Sequence, residues 1–220
     1  MAKTKTYRHF CPVARSLEVI GEKWSLLIVR DLLRGPARFT DLSRTLGNIT
    51  PKWLTQRLRD MEAAGLVERD SVEGKREVYY RLTPRGRELA PVVGALNVWG
   101  IRNAIREPQP EETLTPGSFA PMLAGFLANR RVQLPEPRTW VLDYGPGKVY
   151  AVRFDGRQWE WEDAGPDCPF DVRIETSPAG WATFLAARGP ARRERLTGMR
   201  VSGDDAAVDE LVTAFEQHMG

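Results

Sequence analysis

The side chains best suited to chemistry lie on one segment, residues 50–64. Leu54, Leu58 and Met61 recur at helical spacing and predict a buried stripe. The opposite face then holds polar and cationic groups, namely Lys52, Thr55, Gln56 and Arg59. Lysine and arginine neutralise phosphates, and glutamine and arginine match the edges of adenine and guanine. Thr50, at the predicted helix start, suits a phosphate or base contact.

Further cationic and polar side chains accompany this helix. Arg38 and Thr40 begin a shorter predicted helix and are candidates for phosphate contacts. Lys75 and Arg76 adjoin Gly74 in the turn of a predicted hairpin, where long cationic side chains can follow a DNA backbone or enter the minor groove. An isolated basic helix is more often an ordinary solvated face, so the surrounding elements decide between the two interpretations.

The elements that must position these side chains follow a recognisable order. Apolar spacing, capping residues and turn signals predict helices and strands over 12–20, 23–33, 39–46, 50–64, 66–70, 77–82 and 83–106. The segments 66–70 and 77–82 are strands of one hairpin, and the others are helices. Pro91 should kink the last helix because it lacks the amide that would bond to the carbonyl of Arg87. Four helices, a hairpin and a further helix form the pattern of a winged helix-turn-helix.

Six blocks carry a family resemblance: Cys11-Pro-Val, Ile20-Gly-Glu-Lys-Trp24, Leu32-Leu-Arg-Gly-Pro-Ala-Arg-Phe39, Thr50-Pro-Lys-Trp-Leu-Thr-Gln-Arg-Leu58, Gly65-Leu-Val-Glu-Arg69 and Tyr80-Arg-Leu-Thr-Pro-Arg-Gly86. In this order and spacing, residues 10–100 resemble the HxlR family of bacterial transcription regulators, which are related to the MarR type. The resemblance implies double-stranded DNA as a partner, with the wing at the 66–82 hairpin. It favours DNA contact over a plain solvated face for the residues named above.

The predicted regulator is a homodimer on a pseudo-palindromic operator. Each subunit would insert its 50–64 helix into the major groove, at half-sites about one helical turn apart. The first helix and the 83–106 helix would form the dimer. In the latter, apolar residues at alternating spacings of three and four predict a helix-pairing seam of Leu89, Val92, Leu96 and Trp99.

Cys11 supports an alternative, a thiol-based sensor of oxidants or electrophiles. It precedes Pro12 at a helix start, with Arg8 and Arg15 near in sequence, which favours a partly stabilised thiolate. Some proteins in the resembling family sense through a cysteine in the matching block. The commoner role of a free cysteine is that of a small buried apolar residue. With only Cys11 and Cys168 in the chain, no disulfide framework supports the fold, which favours a reducing compartment.

The charge is unevenly divided about a proline-rich segment. The net charge is only +3. Residues 1–106 hold 20 Lys and Arg against 11 Asp and Glu, a balance of +9, whereas residues 107–220 hold 12 against 18, a balance of −6. We predict a DNA-binding and dimerisation domain over 1–106, a linker over 107–117 and a second domain over 118–220. DNA repels the acidic half, so the first half makes the DNA contact.

The second half is predicted to be an α+β domain with helices packed on a mainly antiparallel sheet. A helix over 118–130 precedes four strands and two further helices, over 139–143, 149–154, 158–162, 170–175, 177–187 and from 204 onward. Blocks within 170–178, 185–189 and 196–204 are similar to the C-terminal signature of sterol-carrier-protein type-2-like domains, a resemblance that covers about residues 117–220. It implies an apolar ligand tunnel between sheet and helices.

Tryptophans are the candidate lining of that tunnel. Trp159 and Trp161 alternate with glutamates, so both indoles face one side of their strand. Phe126, Trp140 and Trp181 complete the candidate site for an apolar small molecule. A plain hydrophobic core is the equal alternative. A hydrophobic-ligand carrier or buffer, whose winged helix serves dimerisation, is the alternative function of a different class.

Catalytic, metal, cofactor and membrane roles find no support in the sequence. Only His9 and His218 are present, so a Ser-His-Asp arrangement or a histidine-rich metal site is not expected. No secretory signal is visible at the start, and the longest apolar stretch, 89–101, is shorter than the roughly 20 residues of a membrane helix. We therefore predict a cytoplasmic protein that is not an enzyme and needs no cofactor.

Overall fold

The computed structural model describes residues 6–71 and 77–219 and divides into two compact units, residues 1–93 and 94–220. The first unit contains the helices α1 Pro12–Ile20, α2 Ser25–Leu32, α3 Phe39–Leu46, α4 Pro51–Ala63 and α5 Pro84–Arg87, and the strands β1 Ala37–Arg38, β2 Val67–Ser71 and β3 Val78–Leu82. Its core is formed by the apolar faces of α2, α3 and α4 with the inner residues of the hairpin. The predicted stripe of Leu54, Leu58 and Met61 is fully buried there.

Local signals explain where α4 begins and ends. The hydroxyl of Thr50 accepts a hydrogen bond from the Trp53 amide, and Pro51 occupies the first helical position, where an amide is not needed. Gly65 ends the helix with a φ of +68°, a conformation that favours glycine. The chain then enters β2, which pairs with β3 in antiparallel register, Arg69 opposite Tyr80. The two-residue β1 adds to the other edge of β3; it is too short to show the alternation that predicts a strand.

The predicted helix over 83–106 is interrupted at residues 88–89 and continues as α6 Ala90–Asn103. The break precedes Pro91. Because proline has no amide hydrogen, the Arg87 carbonyl at the end of α5 lacks the helical hydrogen bond that residue 91 would otherwise donate. Gly86 has no room for a side chain, because a Cβ there would lie 2.1 Å from the Leu66 carbonyl oxygen. The interruption and the close approach of α5 to β2 therefore have specific causes in the sequence.

The second unit has a five-stranded sheet with helices on one face. Its elements are α7 Phe119–Asn129 after a 3₁₀ turn at Pro116–Ser118, β4 Arg138–Asp143, β5 Val149–Phe154, β6 Trp159–Ala164, β7 Val172–Glu175, α8 Pro178–Ala186, α9 Pro190–Thr197, β8 Arg200–Gly203 and α10 Asp205–Met219. The strand order is β6-β5-β4-β7-β8, and only the β4–β7 pair is parallel. The α+β fold class is confirmed. The sequence pattern does not predict α9 and β8, which are short and carry few apolar residues.

The division between the units falls within α6. Its second half belongs to the second unit, since Val98 and Ile101 pack on that unit's core. The predicted linker over 107–117 has no helix or strand before its 3₁₀ turn and groups with the same unit. Two of its glutamates are paired, Glu107 with Arg195 and Glu112 with Arg106.

Candidate nucleic-acid interface

The helix pair α3–α4 is the scaffold of the site. A buried carboxylate, Asp31 on α2, accepts hydrogen bonds from Thr45 Oγ1 on α3 at 2.7 Å and from Arg30 Nε at 2.8 Å. Both bonds are charge-assisted and partly buried, which makes them stronger than hydrogen bonds at a fully exposed surface. They fix α3 against α2 and so set the position from which α4 departs.

Arg57 anchors α4 itself and was not predicted. It is 8% exposed, with Nη2 at 3.6 Å from Glu22 Oε2 and Nη1 at 3.5 Å from Asp60 Oδ2. The pairing ties α4 to the connection between α1 and α2. The signal in the sequence is its position beside Leu58 on the buried side of the helix, with an aspartate three residues later.

The outward face of α4 carries the predicted contact residues. Lys52, Gln56 and Arg59 are exposed and Thr55 is half-buried. Among the described residues, neither Lys52 nor Arg59 forms an ion pair or hydrogen bond. Gln56 Nε2 donates to Asp60 Oδ1 at 2.8 Å, which holds the amide in a defined orientation. This face therefore offers two uncompensated cations and one oriented amide.

Trp53 adds an apolar surface to the first turn of α4 that the prediction did not include. Its side chain is 60% exposed, between the exposed Lys52 and the buried Leu54. The ring gives the first turn of α4 an exposed apolar surface beside the Lys52 cation. Position within the Thr50 to Leu58 block was the available signal.

The other candidate contact residues differ in how many hydrogen bonds and ion pairs they already form within the protein; these are Thr50, Thr40 and Arg38. Thr50 and Thr40 are exposed, although the Thr50 hydroxyl also caps α4. Arg38 Nη2 lies 2.6 Å from Glu77 Oε2, and Nε and Nη2 donate to the Tyr79 hydroxyl at 2.9 and 2.7 Å. The hydrogen bond to Tyr79, with the charge of Glu77, raises the pKa of Arg38 against the effect of burial. Arg38 thus links β1 to β3 and has its charge matched within the protein.

The wing's tip, with Lys75 and Arg76, lies outside the described residues. The strands below it are charge-balanced. Arg81 Nε lies 3.4 Å from Glu68 Oε1 and 3.6 Å from Asp70 Oδ2. The described part of the hairpin therefore offers paired charges, and α4 offers unpaired ones.

Exposed apolar side chains mark one face of α6 and one face of α1. On α6 Val92, Leu96 and Trp99 recur at spacings of four and three and are exposed. On α1, Val13 and Leu17 are four residues apart and are also exposed. Leu89 differs from the rest of the predicted seam, because it is only partly exposed and packs on the first unit's core. Exposed apolar side chains that share one helix face are typical of surfaces that become covered.

Cys11 is the residue directly before α1 and is a free, half-buried thiol. Arg15, which was expected to support a thiolate, pairs with Glu18 at 3.0 Å. Hydrogen bonds from Thr6, the Tyr7 amide and Arg15 lower the pKa of Glu18. The sensing role of Cys11 stays a prediction.

The residues predicted to line an apolar site form the second unit's core. Phe126, Trp140 and Trp181 are fully buried. Trp140 and Trp159 lie 4.9 Å apart between ring centroids, and Trp159 Nε1 donates to the Val132 carbonyl at 2.8 Å. Trp161 is half-buried at the edge of this cluster. The rings fill the space between sheet and helices, which is the core alternative, and a ligand among them stays a prediction.

Neither a metal site nor a membrane-spanning helix is present in the described part of the chain. Across residues 6–71 and 77–219, no three His, Cys, Asp or Glu side chains converge as metal ligands. Burial, with the nearby charge of Arg130, lowers the pKa of His218. None of the described helices combines the length and apolarity needed to cross a bilayer.

The similarity to known proteins lies in most of the first unit and in α6. Residues 19–108 match the model of the HxlR-like helix-turn-helix family. The chain is 39% identical over 93 residues to sll1512 of Synechocystis, covering 42% of this chain and 69% of that protein, and 34% identical over 91 residues to YvaP of Bacillus subtilis, covering 40% and 84%. Both are named uncharacterised HTH-type transcriptional regulators. The redox regulator HypR in its oxidised form is 38% identical, with a TM-score of 0.41, covering 42% of this chain and 97% of that one.

Proposed function

This chain belongs to the HxlR-like helix-turn-helix family of transcription regulators, which are not enzymes, and we propose that it binds a pseudo-palindromic operator as a homodimer. The observation that carries the proposal is the outward face of α4, where Lys52 and Arg59 are exposed without a partner in the described chain. Unpaired cations on a helix that projects from a packed scaffold are available to phosphates and to guanine edges.

Specificity in this proposal comes from Arg59 and Gln56. Their side chains lie on adjacent turns of α4, and Asp60 orients the Gln56 amide. A bidentate contact from either to a base edge discriminates against the wrong base by about 1–3 kcal/mol. Lys52, Thr50 and Thr40 would then contact phosphates and fix the register.

Dimerisation would cover the apolar faces of α1 and α6. Val92, Leu96 and Trp99 provide a stripe at the spacing that pairs helices. A second copy supplies the matching stripe by two-fold symmetry, which also pairs two recognition helices for two half-sites. Leu96→Glu should therefore give a monomer by sedimentation, whereas Phe170→Glu, at an exposed apolar residue of the second unit, should leave the dimer intact.

The second unit would act as the effector domain. Its negative balance keeps it from DNA, and its resemblance to sterol-carrier-like domains supports an apolar small-molecule ligand. Ligand binding would regulate operator affinity by changing the spacing of the two recognition helices.

The decisive experiment measures binding of the full chain to DNA from its own upstream region and to a scrambled duplex of the same length. Arg59→Ala and Gln56→Ala should each lower the preference for the operator by about 1–3 kcal/mol, with little loss on scrambled DNA. Lys75→Ala should weaken both and flatten the salt dependence. Arg44→Ala is the matched control, because this exposed arginine on α3 is paired with Asp41 at 2.7 Å.

Two outcomes would redirect the assignment. An unchanged preference in both α4 variants would show that this face does not read the operator. Failure to bind any upstream fragment at low salt would favour the carrier function instead.

The half-buried thiol of Cys11 adjoins the exposed face of α1, so its modification would change the same dimer. Cys11→Ser should abolish any response of operator binding to oxidant and leave binding itself intact. An undiminished response in this variant removes the thiol-sensor function.

A further inference from the structure

One arginine of the second unit is buried without an ion pair to any described residue. Arg192, on α9, is 1% exposed, and its guanidinium carbon lies 5.7 Å from the ring centroid of Phe215 and 6.0 Å from that of Phe184. A guanidinium keeps its charge inside a protein, and burial of an unpaired charge is costly. Aromatic faces offset only part of that cost.

The hydrogen bonds of Arg192 are incomplete. Nη2 donates to the Ala187 carbonyl at 2.7 Å, but Nε is buried without a partner, and within the described chain Arg192 forms no ion pair. Burial, followed by repulsion from Arg188, lowers its pKa, and attraction to Glu216 opposes this only in part. Its neighbours on α9 differ: Arg193 pairs with Asp209 and Arg195 with Glu107.

A cavity of about 780 Å³ adjoins this group. Its lining includes Arg188, Arg192, Arg193 and Thr197, together with Glu194 and Glu216. The volume is that of a small-molecule site and exceeds what a single ion fills. Because Asp209 neutralises Arg193, the lining charges that remain are two arginines and two glutamates.

We propose that this cavity binds an organic monocarboxylate, whose carboxylate pairs with Arg192 and whose carbon body fills the space towards Arg188. The planar fork of a guanidinium matches a carboxylate, and the orphaned Nε of Arg192 supplies the missing donor. Glu194 and Glu216 in the lining repel a doubly charged phosphate, which favours a ligand with one negative charge. The site goes beyond the proposed function and requires no DNA, and none of the tryptophans lines its cavity.

The test is calorimetric titration of the full chain with 2-naphthoate, the neutral 2-naphthamide of the same shape, and inorganic phosphate. Naphthoate should bind at least about tenfold more tightly than the amide or phosphate. Only naphthoate combines an apolar body with a single negative charge that pairs with Arg192. Arg192→Met keeps a similar side-chain volume and should lower the affinity for naphthoate by at least about tenfold. Arg195→Gln removes the same charge from the same helix outside the cavity and should change affinity by less than about twofold.

A second measurement remains informative if Arg192→Met does not fold. In the wild-type chain the Arg192 Nε–H resonance should shift on addition of naphthoate, because that group gains its only acceptor. Arg192→Lys should bind naphthoate more weakly than wild type, since the fork is lost while the charge remains.

Several results would overturn the site. These are no naphthoate binding at millimolar concentration, equal affinity for naphthoate and naphthamide, a resonance that does not move, or unchanged binding in Arg192→Met. None involves DNA, so failure here is separable from failure of the operator assignment.

Discussion

The unpaired cations of α4 in the first unit and Arg192 in the second unit lie in opposite environments. On α4 of the first unit, Lys52 and Arg59 project into solvent, where water stabilises their charge until a partner arrives. In the second unit Arg192 is buried, and water cannot do the same. An exposed set of unpaired cations suits a long polyanion that approaches from outside, whereas a single buried one suits a small anion that enters a cavity.

The tryptophans also differ in exposure, although this difference does not follow the division into units. Trp53 and Trp99 are 60% and 61% exposed on α4 and α6, whereas Trp140 and Trp181 are fully buried. The exposed rings contribute little to the fold and are available to partners; the buried ones hold the second unit together. Mutations can therefore separate stability from binding.

The largest expected effect is that of Trp181→Ala on the second unit. The indole stacks on Phe184 at 5.0 Å and meets Phe215 edge-on at 6.1 Å, and its Nε1 makes no hydrogen bond that the mutation would lose. Its removal leaves a cavity, so the free energy of unfolding should fall by about 3–5 kcal/mol. Denaturant unfolding of the full chain, followed by circular dichroism, measures this.

Trp53→Ala is the matched control for that experiment. Its stability should change by less than about 0.5 kcal/mol, since the ring is mostly in water. A comparable loss in both variants would contradict the division between a structural and a surface tryptophan.

The contrast also explains what the sequence could predict. Periodicity and caps predict α4 and its buried stripe because Thr50, Pro51 and Gly65 act locally. Periodicity cannot show that Arg38 is held by Glu77 and Tyr79, since those partners lie about 40 residues away in the chain. The polar sequence of α9 gives no helical stripe, and the burial of Arg192 depends on α8 and α10, so both were missed.

A smaller effect is expected from Asp143→Asn, which tests a paired charge of the second unit. Asp143 Oδ2 lies 2.6 Å from Arg173 Nη2, and Oδ1 accepts from the Gly145 amide at 2.8 Å. Burial alone would raise the pKa of Asp143, but these bonds outweigh it, and the pKa lies below its ordinary value. The carboxylate therefore stabilises the fold above its unfolded pKa of about 4, and this contribution disappears as the pH falls through the folded pKa.

Asp143→Asn should lower the free energy of unfolding by roughly 1–3 kcal/mol at neutral pH, and the difference from wild type should narrow below about pH 4. Urea unfolding at both pH values checks this. Asp163→Asn, at an exposed carboxylate of β6, controls for loss of a charge. A difference that persists undiminished in acid would show that packing, and not the ion pair with Arg173, is what the substitution removed.

The smallest effect on free energy should come from Lys52→Ala. This variant is informative because it distinguishes a phosphate contact from a base contact. Lys52 is exposed in the first turn of α4 without a described partner, so it should contact a phosphate and release a counterion. The variant should lose affinity equally for operator and scrambled DNA, and the slope of log affinity against log salt should fall by about 1. Arg44→Ala should leave the slope nearer the wild-type value because Asp41 already neutralises Arg44. If Lys52→Ala instead weakens binding to the operator and not to scrambled DNA, this lysine contacts a base. Lys52 would then belong with Arg59 and Gln56 among the base-reading residues of α4.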